Sequence, residues 1–448
     1  MTPRLATATP APDADLTWLP AWRLAELIAQ GAVSPVALTE HFLARIAELD
    51  PQYHAFRMVD AQGARAQAKA AESAVLAGKP LGPLHGVPIA LKEHIAVKGL
   101  TWWDSWTATT RIAPRDSIEA ERLRAAGAII VGTTVAGLTT REFGDSDRQP
   151  HNPWDRTRVC GDSSSGSACA LATAMVPLVI AADGLGSTRL PAAFCGLVGI
   201  MPTRGRVASA HWTEMNSKLL SAISPLTRDV RDNALVLQVL AGPDGRDLMC
   251  RPDSPPNYLA RMGKPISGMK LAWTDDFGFA HTYAGPDAPR TIAHVRAAAQ
   301  RLTKGGATIG ELIHPVPDHG PAASVVMRAD RTNAIRSEPA EAEITRSREQ
   351  RGAIWQALSR ELDAADFLLS PTIQYIAPTR SQWAAAWADP AYMKTYSAHT
   401  GMANLLGWPA ISVPAGLVDG LPVGLQILGK PDSEPAMYQL AQAFLALA

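Results

Sequence analysis

The sequence has no long apolar run. No stretch of about 18 consecutive apolar residues occurs in its 448 residues, so no transmembrane helix is expected. The first stretch, residues 1–15, has no apolar segment of the kind a secretory signal needs, and it predicts a flexible tail. We therefore expect a cytoplasmic protein whose folded part is residues 16–448.

The chain also has no excess of charge and little cysteine. Its 42 basic and 42 acidic residues cancel, so the overall charge favours neither nucleic acid nor an anionic membrane as a partner. The four cysteines form no C-x-x-C pair and no Cys/His zinc spacing. They predict buried free thiols in a reducing compartment. No internal repeat is visible.

What the sequence does have is a stretch rich in serine and glycine, residues 160–203. A serine group precedes an alanine-rich segment and predicts the start of a helix: Ser163, Ser164, Ser165 and Ser167. An apolar run, residues 176–182, predicts a buried strand. A glycine-rich loop then ends at Ser187.

Two interpretations of this stretch stay open from its residues alone. Serines before a helix are commonly caps, and a Gly-x-Gly after a strand is commonly a turn. Alternatively, the loop N–H groups can face an oxyanion beside Ser187 acting as a nucleophile. No G-x-S-x-G elbow surrounds Ser187.

A serine nucleophile needs a base, and Lys92 is a candidate. It follows the apolar run from Val87 to Leu91, at the end of a predicted buried strand. Burial disfavours the charged form of an amine, which leaves it able to accept a proton. The alternative is that Lys92 forms an ion pair with Glu93 or another acid.

The rest of the chain alternates between helical and strand patterns. Helices are predicted within residues 20–49, over 61–76 and over 117–127. A strand over 128–131 is predicted directly after the last of these helices. Helix followed by strand favours an α/β layering.

With these motifs in place, the chain resembles the amidase signature family of serine hydrolases. The resemblance covers about residues 24–447 and is most specific over 82–93, 161–203 and 400–431. It implies one large α/β domain with a mixed, twisted central sheet wrapped by helices. It also implies Ser187 as nucleophile, Ser163 as the bridging serine in a cis peptide, and Lys92 as base.

The resemblance implies further site residues. Loop N–H groups would form the oxyanion hole, at Gly184, Leu185, Gly186 and Ser187, with support from Ser164, Asp183 and Arg189. Among the departures from the family pattern, Asp162 and Leu185 stand where glycine is common. No cofactor or metal is required by this chemistry.

Aromatic residues suggest a substrate pocket. Three tryptophans lie within five residues, at Trp102, Trp103 and Trp106, and they predict either packing or a pocket wall near Lys92. After Arg206, the segment expected to pass the site contains candidate pocket residues: His211, Trp212 and Met215.

The predicted function is hydrolysis of a carboxamide or carbamate C–N bond in a hydrophobic or aromatic small molecule. Such an enzyme is expected to be a monomer or homodimer without nucleic-acid or membrane partners. In overall style the chain is similar to the urethane-cleaving members of the family.

An alternative is the glutamine-hydrolysing subunit of a tRNA-dependent amidotransferase, which shares the triad within a multi-subunit complex. Leu185, the segment after Arg206 and the zero net charge weigh against it. A third hypothesis is a binding protein that has lost catalysis. Since Lys92, Ser163 and Ser187 are all present, fluorophosphonate labelling of Ser187 is expected to exclude it.

Overall fold

The computed structural model describes residues 15–104, 109–137, 149–161, 163–209, 219–330, 339–387 and 396–448. Of the predicted tail, only Asp15 falls inside these ranges, where its side chain accepts the Thr17 N–H at 3.0 Å. No helix in the described ranges is long and apolar enough to cross a bilayer.

The described residues form thirteen strands. They are β1 Phe56–Val59, β2 Pro88–Lys92, β3 Thr101–Asp104, β4 Thr109–Ile112, β5 Ile129–Thr134, β6 Leu178–Asp183, β7 Val198–Met201, β8 Ala222–Thr227, β9 Lys270–Trp273, β10 Thr308–Glu311, β11 Phe367–Pro371, β12 Ala410–Val418 and β13 Leu421–Leu428.

The same ranges contain thirteen α-helices. They are α1 Ala21–Ala29, α2 Pro35–Tyr53, α3 Ala61–Leu76, α4 Ile118–Ala125, α5 Ser165–Ala172, α6 Arg189–Cys195, α7 Val230–Leu240, α8 Ala288–Ala299, α9 Gly320–Asp330, α10 Glu341–Ala364, α11 Arg380–Trp387, α12 Gly401–Leu406 and α13 Glu434–Ala446. Short 3₁₀ turns occur at Leu16–Trp18, Ala280–Tyr283 and Gln300–Gly305.

Several helices begin where polar caps predict. Ser34 accepts the Ala37 N–H at 3.1 Å at the start of α2. Asp60 caps α3 through Gly63 N–H at 2.9 Å, and Ser117 caps α4. Each side chain satisfies a first-turn donor that has no partner within its own helix.

Eleven of the described strands form one mixed sheet, in the order β1-β5-β2-β6-β8-β7-β12-β13-β11-β9-β10. Strands β5, β2 and β6 are parallel neighbours, whereas β6, β8, β7, β12, β13 and β11 pair antiparallel in turn. The remaining strands, β3 and β4, form a separate hairpin. The predicted mixed α/β fold is confirmed.

Helices cover both faces of the sheet. One core cluster joins α1, α4, α7 and α13 to one face, and a second joins α2, α3, α5 and α6 to the other. In β2, Ile89 and Leu91 belong to the first cluster and Ala90 to the second. Because strand side chains alternate, Lys92 faces the same side as Ala90, towards α5.

A third cluster lies beside the C-terminal half of the sheet and includes α9, α10 and α12. It contains the side chain of Leu185, packed in one cluster with Phe277 and Phe279. Helices α9 and α10 thus cover this part of the core.

Candidate active site

The candidate site forms at the carboxyl ends of β2 and β6. These parallel neighbours end at Lys92 and Asp183, so the segments that follow them emerge at one edge of the sheet. Lys92 is 2% exposed, and its Nζ lies 2.7 Å from Ser163 Oγ and 3.0 Å from Ser164 Oγ. The structure therefore brings together the lysine and the serine group predicted from sequence.

The acid that follows Lys92 is engaged elsewhere. Glu93 is buried, its carboxylate accepts from Arg57 Nε at 2.9 Å, and it also accepts the Ala136 N–H at 2.6 Å. These two contacts engage both carboxylate oxygens of Glu93.

The serine group does more than start a helix. Ser164 occupies the N-cap position of α5, yet its side chain makes no capping hydrogen bond. It lies instead against Lys92 and donates to the Ala182 carbonyl of β6 at 3.4 Å. The peptide bond before Ser163 involves Asp162, so the predicted cis bond lies outside the described residues.

Ser187 lies in the loop that joins β6 to α6 and is 7% exposed. Its Oγ is 3.3 Å from the hydroxyl of Tyr396. Within the described ranges no hydrogen bond joins Ser187 to Ser163. The direct contact that a relay between the two serines needs is thus not formed in this structure.

The loop before Ser187 is held from two sides. The Gly186 N–H donates to Asp183 Oδ1 at 2.7 Å, so this N–H, predicted for the oxyanion hole, is already occupied. Thr400 Oγ1 donates to the Leu185 carbonyl at 2.7 Å. Among the described residues, the N–H groups of Gly184, Leu185 and Ser187 make no hydrogen bond, so these three stay candidates for the predicted oxyanion hole.

The backbone conformation at position 186 requires glycine. Its φ is +116°, and a Cβ there would lie 2.3 Å from Thr400 Oγ1. Leu185, the departure that borders the same loop, directs its side chain into the third core cluster instead. The leucine side chain is therefore part of the core.

A fully buried ion pair supports the loop. Arg189 contacts both carboxylate oxygens of Asp183 at 3.0 Å, and neither side chain is exposed. Burial alone would raise the pKa of Asp183, but the Arg189 charge and hydrogen bonds from Arg189 and Asn404 hold it below its usual value. The Arg189 donors that remain go to Thr400, Asn404 and Gln426. Asp183 therefore stays ionised and keeps its bond to the loop.

Two buried histidines lie next to this network. His399 precedes Thr400, and its ring packs edge-on against Phe277 at 5.7 Å. His319 lies 3.4 Å from Ser397 Oγ. Burial lowers the pKa of each histidine to about 4, so both rings are neutral near pH 7.

The predicted pocket tryptophans have a packing role where they are described. Trp102 and Trp103 belong to the β3–β4 hairpin and are 8% and 6% exposed. Trp102 clusters with Ala96 and Ala113 and donates to the His94 carbonyl at 3.3 Å. The other pocket candidates lie outside the described residues: Trp106, His211, Trp212 and Met215.

Three of the four cysteines lie within residues 160–203, the stretch rich in serine and glycine. All four are free, and Cys160, Cys169 and Cys195 are buried, whereas Cys250 is half-buried. Burial raises the pKa of the Cys160 and Cys169 thiols, which keeps them protonated and weakly reactive. The prediction of buried free thiols is confirmed for three of the four cysteines, and Cys250 is the exception.

Some site residues have no signal in the sequence. Thr400 and Asn404 lie within residues 400–431, one of the stretches that resembles the family, but their pattern predicts no role for either. Tyr396 lies outside every motif, and its contact with Ser187 spans 209 positions. No periodicity or spacing signals such a contact.

The fold and these motifs identify the class of protein. A sequence profile described as Amidase matches residues 37–334 and 318–437. The chain belongs to this family of enzymes, as the resemblance implied. An aryl acylamidase of bacterial origin, from the amidase signature family, has a similar fold, with a TM-score of 0.81 at 22% identity over 96% of each chain.

Relatives with an assigned function indicate a narrower class within this family. The A subunit of glutamyl-tRNA(Gln) amidotransferase from Synechococcus sp. (strain WH7803) is 34% identical over 479 aligned positions, which cover 94% of this chain and 95% of the relative. The solved structure of the corresponding A subunit from Thermotoga maritima has a TM-score of 0.78 at 25% identity, over 96% of this chain and 95% of that one.

These relatives overturn the predicted function. Hydrolysis of a hydrophobic or aromatic carboxamide or carbamate is contradicted, because the near-full-length curated relatives are amidotransferase subunits. The prediction rested on the tryptophan cluster, whose described members, Trp102 and Trp103, pack in a hairpin. Neither Leu185 nor a zero net charge opposes the alternative, since the leucine is buried in the core and overall charge says little about one member of a complex.

Proposed function

We propose that this chain is a glutamine-hydrolysing amidase that works as one subunit of an amidotransferase. The observation that carries the proposal is the 34% identity to an amidotransferase A subunit along 94% of the chain. The contact between Lys92 and Ser163 at 2.7 Å supports it, because amide hydrolysis through serine needs a base connected to a hydroxyl relay.

In the proposed reaction, neutral Lys92 takes a proton through Ser163 as Ser187 attacks the carboxamide carbon of glutamine. The oxyanion is received by the loop N–H groups that make no hydrogen bond, those of Gly184, Leu185 and Ser187. One such donor typically lowers the barrier by roughly 3–4 kcal/mol. The leaving nitrogen takes the proton back through Ser163 and departs as ammonia. Water then hydrolyses the glutamyl ester on Ser187.

The supporting residues keep this geometry during turnover. Asp183 and Thr400 hold the loop from opposite sides, so the free N–H groups remain oriented before substrate arrives. A donor arrangement that needs no reorganisation stabilises charge more than a flexible one. Ser164 shares Lys92 with Ser163 and fixes the amine at the relay.

Protein partners follow from the same proposal. The relatives are named as subunits, so we infer an assembly with other chains in place of the expected monomer or homodimer. Ammonia released at Ser187 would be consumed by a partner that carries the acceptor substrate.

The proposal is tested by measuring ammonia release from L-glutamine, with the chain alone and with the complex isolated through an affinity tag. Ser187→Ala is expected to abolish release. Ser73→Ala is the control, because its exposed hydroxyl donates to the Lys69 carbonyl on α3 at 2.9 Å, and activity should persist. Absence of glutamine hydrolysis by both the isolated chain and the tagged preparation would refute the proposed function.

A further inference from the structure

The hydroxyl of Tyr396 is directed at the proposed nucleophile. It lies 3.3 Å from Ser187 Oγ, and the residue is 2% exposed. Its ring packs edge-on against Trp383, with ring centroids 5.9 Å apart, in the second core cluster. Packing therefore orients the phenol, and burial favours a hydrogen bond from its hydroxyl.

We propose that Tyr396 is a further catalytic residue, which donates a hydrogen bond to Ser187 Oγ and assists departure of that oxygen from the acyl-enzyme. The inference rests on the proposed role of Ser187 as nucleophile. It concerns the second half of the reaction, in which the ester formed on Ser187 is hydrolysed.

The direction of the hydrogen bond follows from where the Ser187 proton must go during attack. Ser187 must release its own proton towards Ser163 and Lys92 during attack. If Tyr396 is the donor and Ser187 Oγ the acceptor, the serine proton stays free for that transfer. A tyrosine that accepted the serine proton would compete with the relay.

The consequence differs between the two halves of the reaction. During attack, a donor on Oγ slightly weakens the nucleophile. During hydrolysis of the ester, water adds to the carbonyl and gives its proton to Lys92 through Ser163. The bond between the carbon and Oγ then breaks, and Oγ regains a proton by the same relay.

Negative charge grows on Oγ while that bond breaks, and a hydrogen bond to a charged oxygen is stronger than one to a neutral oxygen. Tyr396 remains protonated throughout, so it transfers no net proton. Its contribution is expected to be largest in deacylation, since only there does Oγ act as the leaving group.

The test compares acyl-enzyme accumulation in the full-length protein and Tyr396→Phe. The probe is p-nitrophenyl acetate, which acylates serine readily and yields an acetyl ester on Ser187. Samples quenched during steady turnover are analysed by intact mass. We expect the variant to deacylate roughly 10- to 100-fold more slowly and so to carry the acetyl group on a larger fraction of its molecules.

Two controls separate chemistry from packing. Tyr258→Phe makes the same change at a buried tyrosine in the first core cluster, packed against Tyr438 at 6.4 Å, and should leave the acylated fraction unchanged. Ser187→Ala should carry no acetyl group. Thermal unfolding of each variant confirms that it is folded.

The outcomes are distinct from those of the glutamine assay. An acylated fraction equal to that of the unmodified protein would overturn the role of Tyr396, and a smaller fraction would assign it to acylation instead. If Tyr396→Phe accumulates acetyl-enzyme while glutamine is not hydrolysed, the proposed substrate is wrong and the role of Tyr396 stands.

Discussion

Replacing Asp183 with asparagine is expected to destabilise the fold by about 3–5 kcal/mol, the usual result of removing one partner from a buried ion pair. Arg189 would keep its charge with no exposure to water. Asparagine retains one acceptor oxygen, but its amide group places donors where the Arg189 donors and the Gly186 N–H now point.

The expected shift in melting temperature follows from chain length. At roughly 2.1 cal/mol/K per residue, unfolding 448 residues has an entropy of about 0.9 kcal/mol/K. A loss of about 3–5 kcal/mol then lowers the melting temperature by about 3–6 °C. Differential scanning calorimetry measures this shift directly.

Asp419→Asn is the matched control. Its carboxylate pairs with Arg290 at 2.9 Å, but the two side chains are 49% and 58% exposed. Exposed pairs contribute at most about 1 kcal/mol, so the melting temperature should fall by no more than about 1 °C. Equal shifts for the Asp183 and Asp419 variants would refute the structural role assigned to the buried pair.

The pH dependence provides a second check on the same residue. The pKa of Asp183 is lowered on folding from its ordinary value of 3.8. Its stabilising contribution is therefore complete above that value and is lost as the pH falls below it. Asp183→Asn should remove this part of the acid sensitivity.

Three further predictions concern neighbouring groups. Burial lowers the pKa of His399 from 6.5 to about 4. The free energy of unfolding should therefore fall by roughly 3 kcal/mol between pH 6.5 and 4, because the unfolded chain gains a proton there that the folded chain does not. His399→Phe should remove this part of the pH dependence, as measured by urea unfolding at each pH. Gly186→Ala should reduce activity at least about 100-fold, because the added carbon displaces the neighbouring oxyanion donors. The control is Gly420→Ala, at a φ of +77° with nothing within 4 Å of the added carbon, which should strain the backbone and leave activity intact. Equal activities of the two variants would contradict the role given to Gly186. Lys92→Met should lower kcat by about 10²- to 10⁴-fold and Ser164→Ala by about tenfold, and steady-state kinetics showing the reverse order would exclude Lys92 as the base.

Much of the local structure is predictable from short-range pattern. The helix over residues 61–76 has the predicted bounds because an aspartate caps it and alanines repeat along its buried face. Lys92 was expected at a strand end because an apolar run precedes it. Alternation along β2 then determines that its side chain faces α5.

The tryptophans show a feature that composition cannot predict, namely whether a large aromatic side chain lines a pocket or packs in the core. Trp102 and Trp103 predict either a pocket wall or packing, since a large aromatic ring suits both. Only the pairing of β3 with β4, and the backbone bond from Trp103 N–H to the Glu93 carbonyl at 2.7 Å, assigns them to a hairpin. The predicted aromatic substrate was wrong because composition does not distinguish these two environments.

By itself, the sequence determined the α/β layering, the order of loop, helix, strand and loop around residues 160–203, and the strand-end position of Lys92. These depend on periodicity and caps, which act between residues close in the chain. The tertiary structure decided that Ser164 contacts Lys92 instead of capping α5, that Thr400 holds the loop before Ser187, and that Tyr396 faces the serine. Such contacts join residues far apart in the chain, and they exist only when the strands and helices that carry them pack together.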